Sequence, residues 1–205
     1  MSSGFVLVLS GPSGAGKDTV IDELIKQDKD TVISISMTTR KPRPGEVDGK
    51  DYYFVSKEEF EENIKKGEML EYAKYGDNYY GTPMKPIRSW CADGKTVILK
   101  IEVQGARKIK EKWPDVCTMF LMPPSVYALR QRLEGRNTES EEEIEQRLAI
   151  AREEISCSYD YDYIIVNDRV DEAVANILEV IKRYRCMQEY TDTVFQASLA
   201  QSNHE

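Results

Sequence analysis

The sequence predicts an α/β fold of three layers: a mainly parallel sheet between helices, interrupted by an inserted antiparallel lobe. Three observations predict it. Short apolar runs alternate with stretches carrying apolar residues at helical spacing, and such repeated strand–helix units build parallel sheets covered on both faces. The first apolar run passes through a glycine-rich turn directly into a helical pattern. From about Thr39 to Thr82 the alternation stops, and sequence rich in aromatics, Pro and Gly replaces it.

Phe5–Ser10 is short and apolar and reads as a buried strand. Val20, Ile21, Leu24 and Ile25 then recur at helical spacing within Asp18–Gln27. Thr31–Ser36 reads as a second strand, and Lys41–Asp51, rich in Pro, Gly and charge, as a loop. Tyr52–Val55 is a strand, Ser56 with Glu59 forms a capping-box pattern opening a short helix, and Met69–Tyr80 reads as antiparallel sheet. Thr82-Pro83 suits a helix start with Pro at the first helical position. Strands follow at Thr96–Ile101, Cys117–Met122 and Tyr163–Val166, and helices at Val103–Lys112 and Ser125–Leu133. Ile144, Leu148, Ala151 and Ile155 stripe a longer helix, and Val174, Ile177, Leu178, Ile181 and Tyr184 the last one. Beyond about Tyr190 the chain is polar and reads as a frayed tail.

The 205 residues suffice for one domain with a sizeable core and a small inserted lobe. A net charge of -8 argues against a nucleic-acid surface, which leaves a basic footprint. It leaves nucleotide binding open, because a few local cations neutralise phosphates. Cys91, Cys117, Cys157 and Cys186 are widely spaced and read as reduced thiols. Met1–Leu9 has no basic n-region, and no apolar stretch is long enough to span a bilayer, so a cytoplasmic location without membrane partners is expected.

Gly11-Pro12-Ser13-Gly14-Ala15-Gly16-Lys17 lies between a strand and a helix, the setting a phosphate-binding P-loop requires. Glycines let backbone N–H groups turn toward phosphate oxygens, the helix N-terminus adds positive charge, and Lys17 is expected to bridge the terminal phosphates. A bare glycine turn without ligand is the plainer alternative, but Lys17 in register after Gly16 favours nucleoside triphosphate. Asp18 stands where the motif has Ser or Thr, and Thr19, one residue on, points about 100° away. Asp18 is therefore read as touching Mg2+, with helix capping or an impaired site as alternatives.

Arg40 and Arg43, three residues apart beside hydroxyl residues, follow the second strand, where ligands of open α/β sheets bind. Here the sequence resembles the guanylate kinase family. The resemblance runs from Ser10 to about Tyr184 and rests on several motifs in combination. They are the loop, Ser-x-Thr-Thr-Arg-x-Pro-Arg-x-Gly-Glu from Ser36 to Glu46, Gly49-Lys50-Asp51-Tyr52-x-Phe54, Asn78-Tyr79-Tyr80-Gly81-Thr82, Gln104-Gly105, Arg132-Leu133-x-Gly135-Arg136 and Val166-Asn167-Asp168. It implies a P-loop core (4–38, 83–130 and 157–190), a GMP-binding lobe at about 39–82, a helical lid at about 131–156, and a polar tail at 191–205.

By the same resemblance, Ser36, Arg40, Arg43, Tyr52 and Tyr80 match positions that hold the GMP phosphate. Glu71 and Thr82 match those that read guanine, and Glu46 lies in the GMP loop. Guanine presents N1–H and N2–H₂ donors that a carboxylate accepts, whereas adenine N1 is an acceptor; sites built on such pairs reject the analogue lacking them. Glu102 matches an acidic position facing GMP or magnesium-bound water. Lys100 departs from a second acidic position. Arg136 and Arg147 match lid arginines, and Arg132 and Asn167 match positions near adenine. ATP with Mg2+, and GMP with dGMP and IMP left open, are the implied ligands. Two other readings stand beside this one: a related kinase of phosphorylated sugars, and a non-catalytic peptide-binding module. Glu71 with Thr82 argues against the first, and the intact loop against the second.

Overall fold

The computed structural model describes residues 4–135 and 140–202. Five strands form the central sheet: β1 (Phe5–Ser10), β2 (Thr31–Ile33), β7 (Thr96–Lys100), β8 (Cys117–Met122) and β9 (Tyr163–Val166). Their spatial order is β2-β7-β1-β8-β9, and every pairing is parallel. A parallel sheet covered on both faces needs apolar residues on both, and β1 is buried at all six positions.

Strand alternation divides those residues between two cores. Phe5, Leu7 and Leu9 face one side with Met119 and Leu121. There they meet Val20, Ile21 and Leu24 of α1 (Lys17–Gln27) and Val174, Ile177 and Ile181 of α7 (Val170–Ser202). Val6, Val8, Val97 and Leu99 face the other side, against Ile87 of α3 (Met84–Ala92) and Ala106 and Ile109 of α4 (Val103–Lys112). Truncating one such Leu or Ile to Ala costs about 2–5 kcal/mol.

A second sheet has the order β4-β3-β6-β5, from β3 (Met37–Thr38), β4 (Tyr53–Phe54), β5 (Met69–Tyr75) and β6 (Asn78–Pro83). Between β4 and β5, α2 (Lys57–Lys65) starts at Ser56, whose side chain accepts from the Glu59 N–H, and its Phe60 stacks on Tyr79 with ring centroids 5.2 Å apart. A third, small cluster joins Leu129 and Leu133 of α5 (Val126–Glu134) to Ile144, Leu148 and Ala151 of α6 (Glu141–Ser156). Ser140 and Glu143 close a full capping box at the start of α6.

Four local expectations change. The second strand stops at Ile33, because the chain leaves the central sheet there and pairs in the second sheet from Met37. That sheet is mixed, since β3 and β4 run parallel. Pro83 ends β6 and caps α3 in extended conformation, so the helix begins one residue later. The final helix continues through the polar segment to Ser202.

Candidate active site

The loop between β1 and α1 is shaped by backbone conformations that glycine supplies. Gly14 and Gly16 have φ of 86° and 92°, in the left-handed region that side chains avoid. A Cβ on Gly16 would lie 2.6 Å from Asn167 Nδ2, and one on Gly14 would lie 2.9 Å from Leu129 Cδ1. The loop is thus moulded against β9's end on one side and α5 on the other. Asn167 Nδ2 donates to the Ala15 carbonyl at 2.7 Å, and Arg132 donates to the same carbonyl at 3.3 Å and to the Asn167 carbonyl at 2.8 Å. Asn167 Oδ1 is buried and has no hydrogen-bond partner among the described residues. Ser13, Asp18 and Thr19 are exposed at the mouth of the loop.

Lys17 folds back over this turn, its ammonium donating to the carbonyls of Gly11 and Pro12. Burial pushes its pKa below the ordinary lysine value, and the Lys100 ammonium adds to that. The carboxylates of Glu154, Asp18 and Glu102 oppose it. Glu154, on α6, accepts from the Ser13 N–H. Asp18 is held by Lys100 at the end of β7, Nζ to Oδ1 at 2.6 Å. One carboxylate beside a phosphate loop suits magnesium shared with nucleotide phosphates. Among the described residues no group of three His, Cys, Asp or Glu is arranged to hold a metal by itself.

Beside the second sheet, Arg40 grips Glu46 with both guanidinium arms, at 2.9 and 2.8 Å, and Glu46 also accepts from the Arg43 N–H at 2.6 Å. These bonds, the Arg40 pair first, hold the Glu46 carboxyl down at about 2. The Arg40 guanidinium lies 5.5 Å from the centre of the Tyr52 ring and bonds the Tyr80 hydroxyl. Tyr52 meets Tyr80 edge-on at 6.1 Å. Ser36 sits where the chain enters β3, its carbonyl accepting from the Tyr53 N–H at 2.8 Å.

Glu71 on β5 pairs directly with Thr82 on β6, and the Thr82 hydroxyl donates to Glu71 Oε1 at 2.8 Å. Burial raises the Glu71 pKa; the Thr82 bond and the lysines 108 and 112 offset part of that rise. Its other oxygen faces Gly105 at the start of α4, where a Cβ would come within 4.0 Å. Glu102, the residue before α4, lies within electrostatic reach of both Glu71 and Lys17.

The predicted residues therefore gather into two groups, linked by the charge of Glu102. Around the loop stand Gly11 through Asp18, Arg132 and Asn167; around the second sheet stand Arg40, Arg43, Glu46, Tyr52, Tyr80, Glu71 and Thr82; Glu102 lies between. On α6, Arg147 interacts electrostatically with Glu143. Arg136 lies outside the described residues. Asp18 meets Lys100, a pairing the sequence reading did not foresee. It also passed over Glu154, which lies beside Lys17. No local pattern separates Glu154 from its acidic neighbours, because only the packing of α6 brings it to the loop.

A sequence model described as guanylate kinase matches residues 3–184. The chain is 54% identical over 183 residues to a guanylate kinase of Lactiplantibacillus plantarum, covering 89% of each chain. It is 50% identical over 181 residues to one of Clostridioides difficile, covering 88% of each. The crystal structure of guanylate kinase from Anaplasma phagocytophilum superposes with a TM-score of 0.70 at 38% identity, over 90% of this chain and 87% of that one. With the glycine loop after β1, the Arg40–Glu46 pair and the Glu71–Thr82 pair all in place, the chain belongs to the guanylate kinase family.

Proposed function

We propose that the chain transfers the γ-phosphoryl group of ATP to GMP, giving ADP and GDP. A phosphate oxygen of GMP attacks the γ-phosphorus while the bond to the β–γ bridging oxygen breaks and ADP leaves. The observation that carries this reading is the position of Glu102, in reach of Lys17 on one side and Glu71 on the other. A carboxylate suited to guanine and a lysine suited to ATP phosphates thus open on the same space.

The roles follow from charge and geometry. The loop N–H groups and Lys17 take the β- and γ-phosphates. Arg40 and Arg43 take the acceptor phosphate, Tyr52 and Tyr80 donate to it, and Glu46 orients the Arg40 fork. Glu71 and Thr82 read the guanine edge. Arg132 and Asn167 hold the Ala15 carbonyl and so fix the loop beside the adenine side. Phosphoryl transfer is mainly positioning and charge neutralisation, so Arg136 and Arg147 act when the α5–α6 unit closes over the substrates and excludes water. Magnesium, when bound with the nucleotide near Asp18, would neutralise phosphate charge. No helix among the described residues is long and apolar enough to cross a membrane, and a cytoplasmic location agrees with ATP as donor and with four free thiols.

The test is ADP formation from ATP with GMP, dGMP, IMP, AMP, CMP and ribose phosphate as acceptors. GMP should be the best and AMP poor, by two orders of magnitude or more in kcat/KM, since adenine leaves Glu71 facing a lone pair. Equal use of AMP or of ribose phosphate overturns the assignment.

A further inference from the structure

Asp18 and Lys100 lie 82 residues apart in sequence and meet at the carboxyl end of the parallel sheet. Lys100 ends β7 and is held in register with Leu9 of β1, and Asp18 stands in the first turn of α1 beside Lys17. The pair is short, at 2.6 Å, but its side chains are 41% and 78% exposed. An ion pair so exposed contributes little to folding. A helix N-terminus already favours Asp18 without any lysine. Stability therefore does not explain why a strand-anchored ammonium is aimed at this carboxylate.

The charges around the loop give the reason. Lys17 and Lys100 stand among three carboxylates, Asp18, Glu102 and Glu154. Without Lys100, the three carboxylates near Lys17 would lose a cation that faces them where a polyphosphate binds, and Asp18, exposed at the mouth, would be left without its partner. We propose that Lys100 is a positioning residue of the nucleotide site. By holding the Asp18 carboxylate and offsetting its charge, it admits the polyphosphate before metal neutralises Asp18, and so sets how strongly nucleotide affinity depends on magnesium. The proposal rests on the loop being the ATP site.

The experiment measures ADP affinity by calorimetry, in EDTA and in saturating magnesium, for wild type, Lys100→Met, Lys100→Arg, Asp18→Ser and the Asp18→Ser/Lys100→Met double variant. Lys100→Met should weaken metal-free ADP binding by roughly 3- to 10-fold, the scale of one charge interaction at about 4 Å screened by bulk water, and should change binding in magnesium by about twofold at most. Lys100→Arg should retain wild-type behaviour. Asp18→Ser should tighten metal-free binding, and in that background removing Lys100 should cost no more than about twofold. Thermal melting should be nearly the same for all variants, as expected of an exposed pair. An unchanged magnesium dependence in Lys100→Met overturns the proposal. So does an equal loss with and without Asp18, which would mean that Lys100 acts on the phosphates directly. A wild-type chain that binds no ADP overturns the phosphate-loop reading itself, and the proposal with it.

Discussion

On the proposed function, the two halves of the site hold anions by different means. The donor half works mainly through backbone: Gly14 and Gly16 in left-handed conformations, a helix N-terminus, and a lysine folded over the turn. The acceptor half works through side chains drawn from a loop and two strands: the Arg40 fork on Glu46, Tyr52 against the guanidinium, and Glu71 of β5 bonded to Thr82 of β6. Backbone recognition needs contiguous residues, because successive N–H groups must converge on one point. Side-chain recognition is free to assemble from residues far apart. On the proposed function, the first kind is therefore indifferent to the nucleoside, and the second carries the specificity.

The largest expected effect comes from the donor half. Replacing Lys17 by Met removes the one side-chain cation that lies within the turn. Turnover should fall by about 10²–10³-fold, the range seen when a single preorganised charge-stabilising group is lost. The GMP Michaelis constant should change little. A matching rise in that constant would mean the two halves are not separable.

The acceptor half should respond in the opposite sense. Arg40→Ala leaves Glu46 without its partner and takes the fork from the GMP phosphate. The cost should be about 2–5 kcal/mol in GMP binding, with ATP affinity retained. Measuring both Michaelis constants in this variant gives the sharpest contrast with Lys17→Met. An unchanged GMP constant would remove Arg40 from the acceptor site.

Asn167→Ala probes what keeps the donor half rigid. Its buried amide bonds the Ala15 carbonyl at 2.7 Å, and Gly16 is moulded against it. Losing that bond should cost about 1–3 kcal/mol of stability in denaturant melts. It should also weaken ATP more than GMP. Equal weakening of both would show that Asn167 supports the fold at large and has no special hold on the loop.

The same division explains what the sequence made legible. The loop could be read from seven consecutive residues, and the central sheet from its apolar runs, because β1 must be apolar on both faces, with Leu7 and Leu9 on one and Val6 and Val8 on the other. In the acceptor half, spread from Ser36 to Thr82, Arg40 and Arg43 are legible from their charge and their place after the second strand, and the rest only through resemblance to a family. Periodicity cannot say that Glu71 will lie opposite Thr82; that follows from the register of β5 on β6, with an irregularity between Met69 and Glu71. Glu154 and the Asp18–Lys100 pair depend on packing between elements distant in sequence, and no local rule reaches them. The final helix runs to Ser202, past the point where polar composition predicts an end, because helix propagation needs no apolar face at every turn.

The smallest expected effect concerns pH, and it separates the two carboxylates of the acceptor half. Glu46 has its folded pKa depressed to about 2 by Arg40 and the Arg43 N–H. A depressed carboxylate keeps its stabilising pair above its unfolded value and loses it only as pH falls through the folded one. The Arg40–Glu46 pair therefore stays intact at every pH where the enzyme is assayed. Glu71 is shifted the other way, upward, chiefly by burial. A raised carboxylate is more easily protonated when folded, so its ionisation costs stability as pH rises, and its charge is lost at a higher pH than usual as pH falls. A protonated Glu71 can accept from only one of guanine's two donors. GMP affinity should thus weaken, by roughly tenfold per lost charge-assisted bond, as pH drops from neutral through the raised pKa, while ATP affinity does not follow the same curve. Glu71→Gln should bind GMP more weakly throughout and show no such inflection. An acid limb that persists unchanged in Glu71→Gln would transfer the titration to another group and would detach guanine reading from Glu71.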